Sequence, residues 1–240
     1  MSDFSVTLKA AFEKNKISYL LDGAACEKFE RLCCIMKSKN AEMNITAITD
    51  DESIATKHFC DSAFLATLLP DEAELADVGC GGGFPCLPVG ILKPNIKITA
   101  IDSTAKKVKY VGDTALELGL LHFDAISMRA EEGAQGEYRE KYDVVTARAV
   151  ASLDVLCELC IPYLKTGGVF CAMKGKGARE ELEAAKNAIK VLGGELAGIH
   201  EFTLACEDGE QSRYIIEIRK ISSTPAQYPR AYAKIKKKPL

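Results

Sequence analysis

Residues 75–85 read Leu75-Ala76-Asp77-Val78-Gly79-Cys80-Gly81-Gly82-Gly83-Phe84-Pro85, a short apolar run that breaks into four glycines and ends on a proline. The run predicts a buried strand from Glu74 to Val78, and the glycines after it permit positive φ and close approach of backbone to a ligand. Pro85 suits the first turn of a helix, where its missing N–H would have had no partner in any case. The segment is therefore a strand, a loop and a helix start. Glycines also serve plain strand-to-helix turns, so the loop takes its meaning from the residues downstream of it.

The next strand, Lys97 to Ile101, ends at Asp102, 23 residues after Gly79. That is close to the spacing at which a carboxylate meets the ribose hydroxyls of an adenosine ligand. The dinucleotide pattern G-x-G-x-x-G is not met, because Phe84 stands where a third glycine is wanted. Pro85 also removes an N–H that a pyrophosphate would use. Both departures favour an adenosine ligand without phosphates, of which S-adenosylmethionine is the common one. Asp77 either satisfies loop N–H groups or meets the ligand's amino-acid moiety. Arg129-Ala130-Glu131 follows the third strand. Ala130 and Glu131 are placed to meet an adenine ring and its amino group, or Glu131 simply starts a helix on a solvated loop.

Outward from this centre, further strands are expected at His122–Ser127, Tyr142–Thr146 and Val169–Met173, with a final pair near Glu195–Cys206 and Ser212–Arg219. Helices are expected between them, at Lys106–Leu118 before Gly119 and at Arg179–Leu192 before Gly193. Such alternation builds a doubly wound, mostly parallel sheet of seven strands, with a hairpin at its edge. Upstream, apolar residues from Leu20 to Met36 recur at helical spacing, and a second amphipathic segment, Ser53–Leu69, stops at Pro70. The expected organisation is an N-terminal helical layer (1–70), an α/β core (71–220) and a basic tail (221–240).

The chain has 240 residues, 48% hydrophobic and 27% charged, which excludes a disordered or fibrous protein. No apolar run approaches a membrane span and no signal-peptide pattern opens the chain, so a cytoplasmic protein without a membrane partner is expected. The ten cysteines are scattered and read as reduced, buried groups. Cys157 and Cys160 spell C-x-x-C, yet they sit in an apolar helical stripe with Leu156, Leu159 and Tyr163, which favours packing. The net charge of −3 divides unevenly: Arg219 to Leu240 carries seven basic residues and no acid, and residues 1–218 are at −10. Such a tail either frays into solvent or meets a polyanion.

Several further stretches make the reading specific. Asn44-Ile45-Thr46-Ala47-Ile48, Lys57-His58-Phe59-Cys60-Asp61-Ser62, the glycine loop, Asp102-Ser103, Arg129-Ala130-Glu131, Ala147-Arg148-Ala149, Lys174-Gly175, Tyr228-Pro229-Arg230 and Lys237-Lys238-Pro239-Leu240 occur in this order. From Asn44 to the C-terminus the chain resembles the bacterial small-subunit ribosomal RNA methyltransferase G family, also called glucose-inhibited division protein B. The resemblance implies a Rossmann-like class I methyltransferase that moves a methyl group from S-adenosylmethionine to N7 of a guanine in the decoding-region loop of 16S ribosomal RNA. Carried onto matching positions, it implies cofactor contacts from Gly79, Phe84, Asp102, Ser103, Thr104, Ala130, Glu131 and Arg148. Cys80 and Cys86 stand where that family usually has Thr and Gly, and the usual Gly and Pro after Arg230 are missing.

Guanine N7 has a lone pair and no proton, so no general base is expected, and positioning should dominate. Arg148 is the residue expected near the reacting atoms, orienting cofactor or guanine by its planar donors, with a structural ion pair as the other reading. Lys174 either contacts RNA phosphate or is simply solvated, and Arg230, Lys236, Lys237 and Lys238 are expected to contact RNA. His58 and Asp61 share a helix face but two residues do not make a metal site, so no metal is expected. The small ribosomal subunit or its RNA is the expected partner, and the chain is expected to be a monomer. A nicotinamide oxidoreductase using Asp102 on a ribose, or a non-catalytic RNA-binding module on the same fold, are the alternatives.

Overall fold

A computed structural model describes residues 3–240. Seven of its strands form one sheet: β1 (Glu74–Val78), β2 (Lys97–Asp102), β3 (Phe123–Ser127), β4 (Tyr142–Arg148), β5 (Leu164–Lys174), β6 (Gly194–Cys206) and β7 (Gly209–Lys220). Their order is β3-β2-β1-β4-β5-β7-β6. The first five run parallel, whereas β7 lies antiparallel between β5 and the edge strand β6. The order reverses between β1 and β4, and that switch point opens a crevice at the carboxyl ends of the strands.

The N-terminal layer is helical, as expected: α1 (Asp3–Lys14), α2 (Gly23–Met43), α3 (Asp51–Ser53) and α4 (Asp61–Leu68). Asp22 caps α2 by accepting from the Ala25 N–H at 2.7 Å, and Asn44 ends it in the left-handed conformation. The buried stripe of α2, Cys26, Phe29, Leu32, Cys33 and Met36, follows helical spacing. The segment expected as one helix from Ser53 to Leu69 is helical but not uniform, because Ile54–Cys60 winds in wider π-type turns. These turns bring Lys57, His58 and Asp61 together against the end of β4. Ring contacts run from this layer to the glycine loop: Phe12–Phe29 at 5.7 Å, Phe29–Phe59 at 4.9 Å and Phe59–Phe84 at 6.1 Å.

The remaining helices are α5 (Cys86–Leu92), α6 (Ala105–Glu117), α7 (Ala130–Gln135), α8 (Leu153–Cys160), α9 (Ala178–Val191) and α10 (Tyr232–Lys237). The N-terminal layer, α5 and α6 share one apolar core; α8, α9 and Ile235 of α10 share a second. Cys157 and Cys160 are fully buried within it, and burial pushes both thiols up, away from redox chemistry. Strand β5 begins five residues earlier than the periodicity suggested, because Leu164 already pairs with Tyr142 and Lys165 binds Glu74 and Asp143.

The segment after Lys220, expected as a basic tail, is docked on the body. Arg139 donates to the Tyr228 carbonyl at 2.8 Å and Gln135 to the Pro229 carbonyl at 2.6 Å. Arg230 places its backbone N–H, Nε and Nη2 on the fully buried carboxylate of Glu158 in α8. Arg230 thus anchors the segment by pairing with a buried acid. Removing it leaves a buried carboxylate without its cation, so Arg230→Ala is expected to cost about 3 kcal/mol of unfolding free energy. Urea titration measures this, and a loss within about 0.5 kcal/mol, the range of ordinary surface substitutions, would contradict the docking.

Candidate active site

The site begins where β1 ends. The Gly79 and Cys80 N–H groups both donate to the Ile101 carbonyl of β2, at 2.8 and 3.0 Å, which pins the glycine loop to the neighbouring strand. Gly79 has φ +78°, and a Cβ there would lie 2.5 Å from the Val150 side chain. A Cβ on Gly82 would meet Ile45 at 2.6 Å, so the loop is pressed under the Asn44–Ile48 stretch of the helical layer. Asn40 holds that stretch by two hydrogen bonds to the Thr46 backbone, each 2.9 Å.

Two cavities meet over the loop. The larger, about 860 Å³, is walled by the glycine loop, His58, Asp61, Arg148, Lys174 and Arg213, and the smaller, about 230 Å³, by Asp102, Ser103, Met128, Ala130, Glu131 and Tyr232. They share Gly79, Asp102 and Val150. Five of the residues singled out from the sequence, Gly79, Asp102, Ser103, Ala130 and Glu131, therefore lie around the smaller cavity. Phe84, Arg148 and Lys174 line the larger. Thr104 borders neither: it precedes α6, and its N–H donates to Asp102 at 2.8 Å. The second Asp102 oxygen accepts from the Gly81 N–H at 3.0 Å, so this carboxylate shapes the loop while keeping further lone pairs for hydroxyl donors.

Asp77, the other acid of the loop, is fully buried and accepts from the Cys86 N–H at 3.3 Å. It borders neither cavity, which fits the reading in which it satisfies loop N–H groups. Burial raises its carboxyl to about 6.

Arg148 sits within a network. It donates to Asp61 at 2.8 Å and to the Lys57 carbonyl at 3.1 Å, and its guanidinium carbon lies 5.4 Å from the centre of the Phe84 ring. His58 stacks on the same ring at 4.4 Å. Asp61 binds a second arginine, Arg213 of β7, at 3.0 Å, and is itself 6% exposed. Arg148 therefore combines the two readings open to it, a structural ion pair and a place on the cleft wall. The Lys174 ammonium, on the wall of the larger cavity, donates to the Ala151 carbonyl and to Glu181, both at 2.7 Å. Lys236, Lys237 and Lys238 are exposed and border neither cavity. Sequence reasoning missed Arg213 and Tyr232; the first stands in an alternating strand without any motif, and the second among lysines that drew attention to charge alone.

Every carboxylate and imidazole in the larger cavity has partners. Asp61 holds two guanidinium groups, Asp102 two backbone N–H groups, and Glu181 the Lys174 ammonium and the Leu153 N–H. His58 accepts from Arg148 at Nδ1 (3.3 Å), which leaves Nε2 to donate to the Thr46 hydroxyl at 2.8 Å. Burial and then the Arg148 charge push the His58 pKa down to about 3. Among the described residues no group of three His, Cys, Asp or Glu side chains is arranged to hold a metal ion, and no helix is long and apolar enough to cross a membrane.

Strand order, glycine loop and the carboxylate at the end of β2 together define the Rossmann-like fold of class I S-adenosylmethionine-dependent methyltransferases. Solved structures agree at the level of fold. The M. jannaschii TYW2 structure in complex with AdoMet superposes with a TM-score of 0.55 at 14% identity, covering 67% of this chain and 75% of that one. The YcgJ protein of Bacillus subtilis gives 0.52 at 12% identity, covering 69% and 100%.

Sequence narrows the class. Residues 25–210 match the family described as rRNA small subunit methyltransferase G. The chain is 44% identical over 222 residues to the ribosomal RNA small subunit methyltransferase G of Acetivibrio thermocellus, covering 92% of this chain and 90% of that one. It is 43% identical over 223 residues to the Geobacillus sp. enzyme of the same name, covering 92% and 93%. The chain belongs to this family and is a ribosomal RNA methyltransferase; the oxidoreductase and non-catalytic alternatives find no support in these matches.

The buried, neutral His58 makes a pH prediction. Between about pH 6.5 and about 3 the unfolded chain binds a proton on this histidine that the folded chain does not, so the stability that neutral His58 confers is complete above about pH 6.5 and is lost as pH falls. Measured against a His58→Gln variant, the natural chain's relative stability is expected to fall by about 1.4 kcal/mol per pH unit below about 6.5. Parallel stability curves for the two proteins between about pH 4.5 and 7.5 would refute the assignment.

Proposed function

We propose that this cleft binds S-adenosylmethionine, with the adenosine moiety in the smaller cavity, and methylates N7 of a guanine in a single-stranded loop of 16S ribosomal RNA, that of the decoding region. The residues present fit the cofactor on two observations. The smaller cavity joins apolar walls, Val78, Ile101 and Met128, to the polar groups of Asp102, Ser103 and Glu131 at its rim, the combination that a nucleoside requires. Gly79 stands where any side chain would collide with Val150, at the junction of the two cavities. Asp102 and Ser103 would hold the ribose, Ala130 and Glu131 the adenine, and the glycine loop the amino-acid end beneath Phe84.

S-adenosylmethionine supplies an activated methyl group, and N7 takes it with its own lone pair. The protein's residues have a different task. The observation that carries the choice of N7 is that Asp61, Glu181 and His58 are each held by protein partners while Asp102 is given to the ribose, so no acid or imidazole of the larger cavity is left to act as a base. Guanine N1 and N2 would each have to lose a proton. Arg148 and Arg213, fixed by Asp61, orient the reactants, and the exposed lysines of the C-terminal segment supply charge for the RNA backbone. N7 is on the Hoogsteen edge, which a loop guanine offers freely, in keeping with recognition of unstacked bases.

Two outcomes check this reading. Digestion of methylated small-subunit RNA should yield 7-methylguanosine, identified by mass and by its cleavage with borohydride and aniline; methyl on any other atom refutes the choice of N7. Asp102→Ala should weaken S-adenosylmethionine binding at least tenfold in titration calorimetry, since hydrogen bonds to a charged group are worth roughly 1.5 to 3 kcal/mol. Unchanged affinity would remove Asp102 from the site.

A further inference from the structure

Beyond the residues that the motifs mark, the smaller cavity has a wall that comes from the far end of the chain. We propose that Tyr232, carried by the docked C-terminal segment, is a cofactor-binding residue whose ring closes the adenine side of the cavity. This rests on the reading of that cavity as the adenosine site.

Tyr232 lines the cavity together with Asp102, Ser103, Met128, Ala130 and Glu131. Its position is over-determined. Two residues upstream, Arg230 makes its three-donor attachment to Glu158, and three residues downstream Ile235 is fully buried. The Arg129 guanidinium carbon lies over the Tyr232 ring, 5.9 Å from its centre. Arg129 is in turn paired with Glu131. The segment thus brings to the cavity the one aromatic residue among the described residues of its lining, held by an ion pair to a buried acid and an apolar anchor. A planar heterocycle gains most from an aromatic ring, because aromatic stacking adds to the burial of area.

The test is calorimetric binding of S-adenosylhomocysteine and of adenosine to the full-length natural chain and to Tyr232→Ala, Tyr232→Leu and Tyr232→Phe, with the ligand-free melting temperature of each. Tyr232→Ala is expected to raise Kd for both ligands about tenfold, the usual effect of removing an aromatic side chain from a stacked base. Tyr232→Leu, which keeps the bulk that seats the segment, is expected to bind more weakly than the natural chain, and Tyr232→Phe to bind within about twofold of it. If the Ala variant does not fold, the Leu and Phe pair decides. Equal affinity of the natural chain and the Leu variant overturns the inference while leaving the cofactor site standing. Failure of the natural chain to bind either ligand overturns both.

Discussion

A buried carboxylate with two guanidinium partners ties the molecule together. Asp61 belongs to the helical layer, Arg148 to β4 and Arg213 to β7, and the two strands flank β5 on opposite sides. One acid therefore clamps a helix across three strands at the carboxyl end of the sheet. Either arginine alone would leave a largely buried charge only half satisfied; together they use both carboxylate oxygens. The clamp also fixes the stack of His58 on Phe84 with Arg148 beside it, and so sets the roof over the glycine loop. This explains why Phe84 stands where a dinucleotide-binding chain has its third glycine. Here the helical layer covers the loop, and an aromatic ring joins the two.

The same economy of charge sets the chemistry. A cleft in which acids are spent on arginines, lysine and backbone N–H groups has little capacity for proton transfer and considerable capacity for holding a planar base and a charged backbone in register. Held reactants can lose roughly 7 to 11 kcal/mol of barrier through orientation alone, enough to make such a division of labour effective for a nucleophile that already has its lone pair. The C-terminal segment adds to this arrangement. Lys234, Lys236 and Lys237 belong with Tyr232 to one short helix, so exposed positive charge and a residue lining the smaller cavity lie on a single docked element.

What was legible in the sequence was local. The strand, glycine loop and Asp102 lie within 28 residues of one another, and each is set by short-range rules of periodicity, turn geometry and strand-end position. The hairpin of β6 and β7 was legible for the same reason. What stayed hidden depends on contacts between residues far apart. Arg213 meets Asp61 across 152 positions and Arg230 meets Glu158 across 72, and no pattern of spacing encodes either pair. One trace was present: Glu158 interrupts the otherwise apolar run Val155-Leu156-Cys157 and Leu159-Cys160, and a buried acid must find a cation somewhere. The pairing of Lys174 with Glu181 on the next helix was likewise not marked by any motif.

In the proposed reaction, positioned groups and no titrating base carry the methyl transfer. Single-turnover rates with saturating S-adenosylmethionine and small ribosomal subunits, followed from about pH 6.5 to 9, test it most directly. The rate is expected to stay level across that range. A logarithm of rate that climbs with unit slope through a single pKa would show that a base must lose its proton first, and would contradict it.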